Sequence, residues 1–209
     1  MVNMRNETEQ KILDVARQEF VQKGFNGARM QDIADMAGIN KAMLHYYFRS
    51  KEKLYHEIVV EILNLMIPRF GQAMGKEGSF GERLEAMVDT YIRTLIEYPE
   101  IPFFIMYELS QKQESFIQEL KQREAFFPHI RSFLMQMQIE MAEGKIRDIP
   151  PLQLFLHIMG MTVFPFMVKP IFCTIIGVPE ADYTELMKER KQYIMQTLEA
   201  ALYVDPMKT

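Results

Sequence analysis

The chain of 209 residues has one cysteine, Cys173, and no tryptophan. A single thiol excludes an internal disulfide framework and any cysteine-based zinc site. The four histidines, at 45, 56, 129 and 157, are scattered and make no HExxH pattern. A metal centre therefore has little to draw on, and neither metal nor cofactor is expected. Strand-like alternation bounded by turn pairs is almost missing. Asn26-Gly27 is the one such pair, and no strand pattern flanks it. No nucleophile with a base, paired-carboxylate site or phosphate loop stands out, so no catalytic residue is assigned and no enzyme is expected. Met1 to Gln10 is polar and lacks the apolar stretch of a signal peptide, which points to a cytoplasmic protein.

What is present is an ordinary globular balance, 48% hydrophobic and 25% charged, enough to bury a core without staples. The net charge of −4 at first speaks against nucleic acid. Its distribution speaks otherwise. Residues 1–56 carry nine Lys/Arg against seven Asp/Glu, net +2, and residues 57–209 carry fifteen against twenty-one, net −6. Between Gly38 and Lys53, Lys41, Arg49, Lys51 and Lys53 face Glu52 alone. Such a patch is either an electrostatic footprint or a solvated face. Methionine is abundant, 18 residues, ten of them after residue 100. That suits an adaptable apolar cavity and equally a methionine-tolerant core.

The periodicity is helical throughout. Ile12, Leu13, Ala16 and Phe20 recur at helical spacing, and Gly24 is placed to end that helix in a left-handed conformation. Ile33, Ala34 and Ala37 mark a short second helix closed by Gly38. Asn40 can cap a third, to about Tyr47, and Ser50 a fourth that Pro68 should kink or end. Further helices are expected over 80–97, 103–109, 114–127, 129–143, from about 151, and 181–203, with Gly177-Val178-Pro179 as a break. From Ile149 to Val168 no residue carries a formal charge. The prolines at one end shorten it as a membrane span, so a buried or interface helix is expected and no membrane partner.

Residues 29–48 hold two short helices around a glycine turn. This is a helix-turn-helix layout, whose second helix lies in the DNA major groove. Ala34 is small where helices approach, Gly38 permits a positive-φ turn, and Ile39 and Leu44 plug the core. The run from Ile33 to Leu54 reads IADMAGINKAMLHYYFRSKEKL. It resembles the TetR family of bacterial transcriptional regulators, whose pattern is roughly I-A-x-x-A-G-[VI]-S-x-G-[TA]-[LIF]-Y-x-[HY]-F-x-[SN]-K-[ED]-x-L. With Gly24-Phe25 the resemblance covers about residues 8–56.

On that resemblance the DNA-binding residues are Arg29, Asn40, Lys41, Ala42, Met43, His45, Tyr46, Tyr47 and Lys51. Ala28 and Arg29 replace the usual hydroxyl pair, which removes a cap from the second helix and adds a cation. Asn40 replaces serine and keeps the capping chemistry. Ala42 replaces a frequent glycine, and His45 stands where tyrosine is typical. Lys51 matches a position that meets the backbone through charge and a helix N-terminus. Phe48 is assigned inward, Met43 outward toward the groove because Leu44 takes the buried phase, and Lys41 is the leading base or phosphate reader.

The family implies an all-α fold with two domains, about nine helices. Residues 1–52 would form the three-helix DNA-binding module and residues 53–209 a larger helical ligand-binding and dimerisation domain. It further implies a homodimer through the last two helices, a palindromic operator, and a small apolar or amphipathic effector. The effector displaces the fourth helix and releases the DNA, which makes a repressor. Candidate pocket residues are Phe103, Met106, Tyr107, Phe127, Phe133, Met137, His157, Met161 and Phe164, with Phe104, Phe126, Met159 and Phe166 in the same apolar set. Plain core is the competing reading for each. The competing function is a helical carrier of small molecules that binds no DNA, and a salt-dependent DNA titration separates the two.

Overall fold

A computed structural model describes residues 7–124 and 127–203. Phe126 lies outside the described residues. Among those described, the secondary structure is helical with no strand, as the periodicity predicts. The chain divides into two compact units, residues 1–64 and 65–209.

The first unit holds α1 (Glu7–Gly27), α2 (Met30–Ala37), α3 (Lys41–Phe48) and the first part of α4 (Lys51–Met74). Ile12, Leu13, Ala16, Ile33, Ala34, Leu44, Leu54 and Ile58 form its core. The boundary falls later than the expected 52/53. The start of α4 belongs to this core through Leu54, Tyr55, Ile58 and Val59. Tyr55 sits edge-on to Phe20 and to Phe25, at 5.0 and 5.1 Å between ring centres. The Arg17 guanidinium donates to Glu61 at 2.8 Å, tying α1 to α4. Gly24 breaks α1 as expected. At φ 68°, ψ 170° it has the expected positive φ, though not the left-handed helical ψ, and a short second helical turn runs on from it to Gly27. Pro68 does not end α4, which runs through it to Met74. Pro68 and Asn64, four residues apart, are both exposed. The missing N–H thus falls on a solvent face, where it does least harm.

The second unit continues with α5 (Phe80–Glu97), α6 (Ile101–Gln111), α7 (Gln113–Lys121), α8 (Phe127–Ala142), α9 (Pro151–Thr162), α10 (Phe164–Pro170) and α11 (Glu180–Leu202). Ser79 opens α5 with a capping box: its hydroxyl takes the Glu82 N–H, and the Glu82 carboxylate takes the Ser79 N–H at 2.8 Å. Helices α5 and α11 pack together. Lys191 reaches Glu85 at 3.0 Å and Asp89 at 3.4 Å between them. Buried Glu140 of α8 accepts the Phe80 N–H at 2.6 Å and the Gln136 amide at 2.8 Å.

The uncharged run is not one regular helix. Pro165 interrupts it after Thr162, and beyond Pro170 the chain runs on as a wider π-helical turn, Ile171–Ile176. Each proline lacks the N–H that an α-helix would give to the carbonyl four residues back. For Pro165 that carbonyl belongs to Met161, and Arg190 of α11 supplies the donor, Nε to oxygen 2.8 Å. Tyr183 of α11 donates its hydroxyl to the Pro165 carbonyl at 2.7 Å. Gly177, at φ 83°, closes the segment.

Candidate nucleic-acid interface

Helices α2 and α3 meet at Gly38, whose φ of 70° and ψ of 31° lie in the left-handed region. A residue with a Cβ is strained there. The turn folds back as the Gly38 N–H reaches Asp35 and the Ile39 N–H reaches Ala34, at 3.1 and 3.0 Å. Arg29 caps α2 with extended backbone and makes no side-chain capping bond, as the loss of the hydroxyl pair implies. Its side chain is exposed. Asn40 caps α3: its side-chain oxygen accepts the Met43 N–H at 2.8 Å. Ser50 caps α4 in the same way through the Lys53 N–H at 3.2 Å.

Helix α3 is two-faced. Leu44 and Phe48 are buried, Phe48 as assigned. Lys41, Ala42, Met43 and Tyr46 are exposed, with Tyr46 81% accessible. His45 and Tyr47 are half-buried, and Tyr47 leans edge-on to Tyr46. The face opposite the core therefore offers a cation, a methyl, a thioether and phenols.

An ion pair holds α1 to α2. Lys23 lies 2.7 Å from Glu19 and 2.8 Å from Asp32. The hydrogen bond from Lys23 holds the Asp32 carboxyl below its usual range. Its hydrogen bonds to Asp32 and Glu19 raise Lys23 in turn.

Two residues do more than the spacing reveals. The Lys51 ammonium donates to the carbonyls of Phe25 and Ala28, at 2.8 and 3.1 Å. It also stands 4.6 Å from the centre of the Phe25 ring. It ties the end of α1 to the start of α4, a task invisible in a local motif because its partners are over twenty residues away. Arg49 has φ 50°, ψ −45°, and the Ser50 N–H turns back to the Phe48 carbonyl. This is a γ-turn of the rare positive-φ kind, costing about 1–3 kcal/mol of strain. His45 Nδ1 meets the Arg49 carbonyl at 2.9 Å, bracing it.

The expected pocket residues do not share one environment. Phe133 and Met137 are core, Phe133 against Phe80 at 5.0 Å. Tyr107 and Met161 are half-buried. Phe103, Met106, Phe127, His157 and Phe164 are exposed on the second unit. His157 is thus a surface residue of the single chain, not a core one. Leu152, Phe155, Leu156, Ile175 and Ile176 are exposed with it. The run 151–176 is long and apolar enough to cross a membrane by length and composition. Only 17% of its most apolar window is buried within the chain.

A capped helix presented by a glycine turn, core on one side and open on the other, is a helix-turn-helix reading head. Residues 12–58 match the profile of the bacterial regulatory proteins of the tetR family. The likeness to the TetR family by sequence is that of this first unit. The transcriptional regulator RutR of Escherichia coli strain K12 is 45% identical over 56 residues, 27% of this chain and 26% of RutR. The transcriptional repressor NicS of Pseudomonas putida is 33% identical over 94 residues, 41% of this chain and 42% of NicS. The chain thus spans about a quarter of the length of RutR and under half that of NicS. Likeness of fold extends further. The structure of the ketosteroid regulator KstR2 of Mycobacterium tuberculosis aligns with a TM-score of 0.66. It covers 97% of this chain and 98% of that one at 17% identity.

Proposed function

We propose that the chain is a ligand-responsive transcriptional regulator, a cytoplasmic repressor that binds a palindromic operator as a homodimer. The observation that carries this reading is the open face of α3, with Lys41, Ala42, Met43 and Tyr46 exposed behind the Asn40 cap. Relatives of the N-terminal unit carry the names of transcriptional regulators and repressors. One recognition helix spans only a few base pairs, so two copies related by a dyad double the site, with half-sites about one helical turn apart.

The second copy has a surface to meet. Leu152 and Leu156 on α9, Ile175 and Ile176 beyond it, and Leu186 and Tyr193 on α11 are all exposed. An apolar surface of this kind marks an interaction site. Arg190 and Tyr183 hold the kinked run against α11, so both helices present it as a unit. The effector is a small apolar or amphipathic molecule held by the second unit, and α4 carries its effect. A near-complete switch needs about 5.5 kcal/mol of preference for the DNA-free form. The core aromatics Phe104, Phe133 and Phe166 and the half-buried Tyr107 are the lining this reading favours.

The test is selection of duplexes from a randomised pool, followed by titration of the selected site. A palindromic site is expected, with Lys41→Ala and Tyr46→Ala each weakening it. A chain that selects no sequence favours the carrier reading.

A further inference from the structure

His45 Nδ1 lies 2.9 Å from the carbonyl oxygen of Arg49. A carbonyl oxygen only accepts, so Nδ1 carries the hydrogen and donates it. In the neutral ring this leaves Nε2 bare, an acceptor. The γ-turn at Arg49 thus chooses the tautomer of a side chain on the recognition helix. His45 is four residues from Lys41 on α3, and helical residues at that spacing share a face. His45 is half-buried and Ala42 and Tyr46 of the same helix are exposed, while Leu44 and Phe48 fill the buried side.

A duplex offers this nitrogen few partners. Phosphate oxygens only accept, and a bare Nε2 has no hydrogen to give them. The donors on the major-groove edge are the amino groups of adenine N6 and cytosine N4. Guanine and thymine show acceptors there, O6, N7 and O4. We propose that His45 is a specificity-determining residue. Its Nε2 accepts from an adenine or cytosine amino group at one position of each half-site, and guanine and thymine are rejected on that strand. The inference rests on the reading of α3 as a recognition helix.

Two substitutions separate the two nitrogens. His45→Asn places an amide N–H near the site of Nδ1, keeps the bond to Arg49 and removes the outward acceptor. His45→Phe removes both. Duplexes are selected from one randomised pool with the wild type and both variants, and affinities for the wild-type site are measured across salt. The wild type should prefer adenine or cytosine at one position per half-site by roughly fivefold or more. His45→Asn should flatten that position alone, leaving the rest of the motif and the salt dependence unchanged. His45→Phe should flatten it and also lower the melting temperature. Nitrogen-15 NMR of the free protein should place the hydrogen on Nδ1. A motif unmoved by His45→Asn overturns the base contact alone. So does a loss of affinity uniform over all sequences, the signature of a phosphate contact, and so does a hydrogen found on Nε2. A wild type that selects no motif overturns the regulator reading, and the base contact with it.

Discussion

The Lys51 ammonium sits between the carbonyls of Phe25 and Ala28, at 2.8 and 3.1 Å, over the Phe25 ring. The kink at Gly24 and the helix break before α2 bring these carbonyls to one point. Hydrogen bonds to a charged group contribute about 1.5–3 kcal/mol. Lys51→Met is therefore expected to destabilise the chain by about 2 kcal/mol in urea unfolding without DNA. Were Lys51 only a phosphate contact, stability would not change.

Asn40 holds the first turn of α3 by one bond to the Met43 N–H. Asn40→Ala should cost about 1 kcal/mol, and Asn40→Ser much less. Thermal melting checks both. DNA affinity should fall with Asn40→Ala, because Lys41, Ala42 and Met43 lie on the turn that frays.

Arg190 replaces the donor that Pro165 removes from the Met161 carbonyl. Arg190→Met leaves that carbonyl short of a donor and should cost about 1–3 kcal/mol. Tyr183→Phe, at the Pro165 carbonyl, should cost about 1 kcal/mol. Both are read by denaturant unfolding, with helix content from circular dichroism as the control.

Tyr91 of α5 packs on Phe70 at 4.1 Å between ring centres, and burial pushes its phenol up to about 12. The folded chain holds this proton more tightly than the unfolded one, whose phenol titrates near 10. The contribution to stability is thus complete below pH 10 and is lost as pH rises toward 12. Stability measured across that range should fall less steeply in Tyr91→Phe. An ultraviolet titration should lose its latest phenolate component.

The apolar surface of α9 and α11 predicts association. Light scattering should give a dimer for the wild type and a monomer for Leu156→Glu with Leu186→Glu. Both side chains are about half exposed in the single chain, 53% each. Their substitution should leave helix content intact.

Much of the first unit was legible because its signals are local. Gly38, Asn40, Leu44 and Phe48 each act within a few residues of themselves, so spacing reveals their roles. Lys51 stands at the head of α4, yet its carbonyl partners depend on how α1 ends. Gly24 reads as a stop because glycine permits positive φ, and the regular helix does break there; the further short turn to Gly27 is what the spacing does not show. Pro68 reads as a kink or an end, and the helix does not end there, since a proline on a solvent face can sit inside a long helix.

The second unit was less legible because an apolar residue at helical spacing reads the same in a core and on an interface. Phe133 and Phe164 both fit the aromatic pattern. Phe133 is buried against Phe80, while Phe164 is exposed beside Pro165. The absence of charge from 149 to 168 marked the run, but not which of its faces the chain itself covers. The partners of Arg190 and Tyr183 could not be read at all, because both are backbone carbonyls on another helix.

The central claim is that this chain reads a specific palindrome as a dimer. The direct measurement is fluorescence anisotropy of the selected palindrome, a half-site and a scrambled duplex, titrated with the wild type at several salt concentrations. The account predicts two chains per palindrome, at least a thousandfold preference over the scrambled duplex, and affinity that falls steeply with salt. Equal affinity for the palindrome and the scrambled duplex would contradict it.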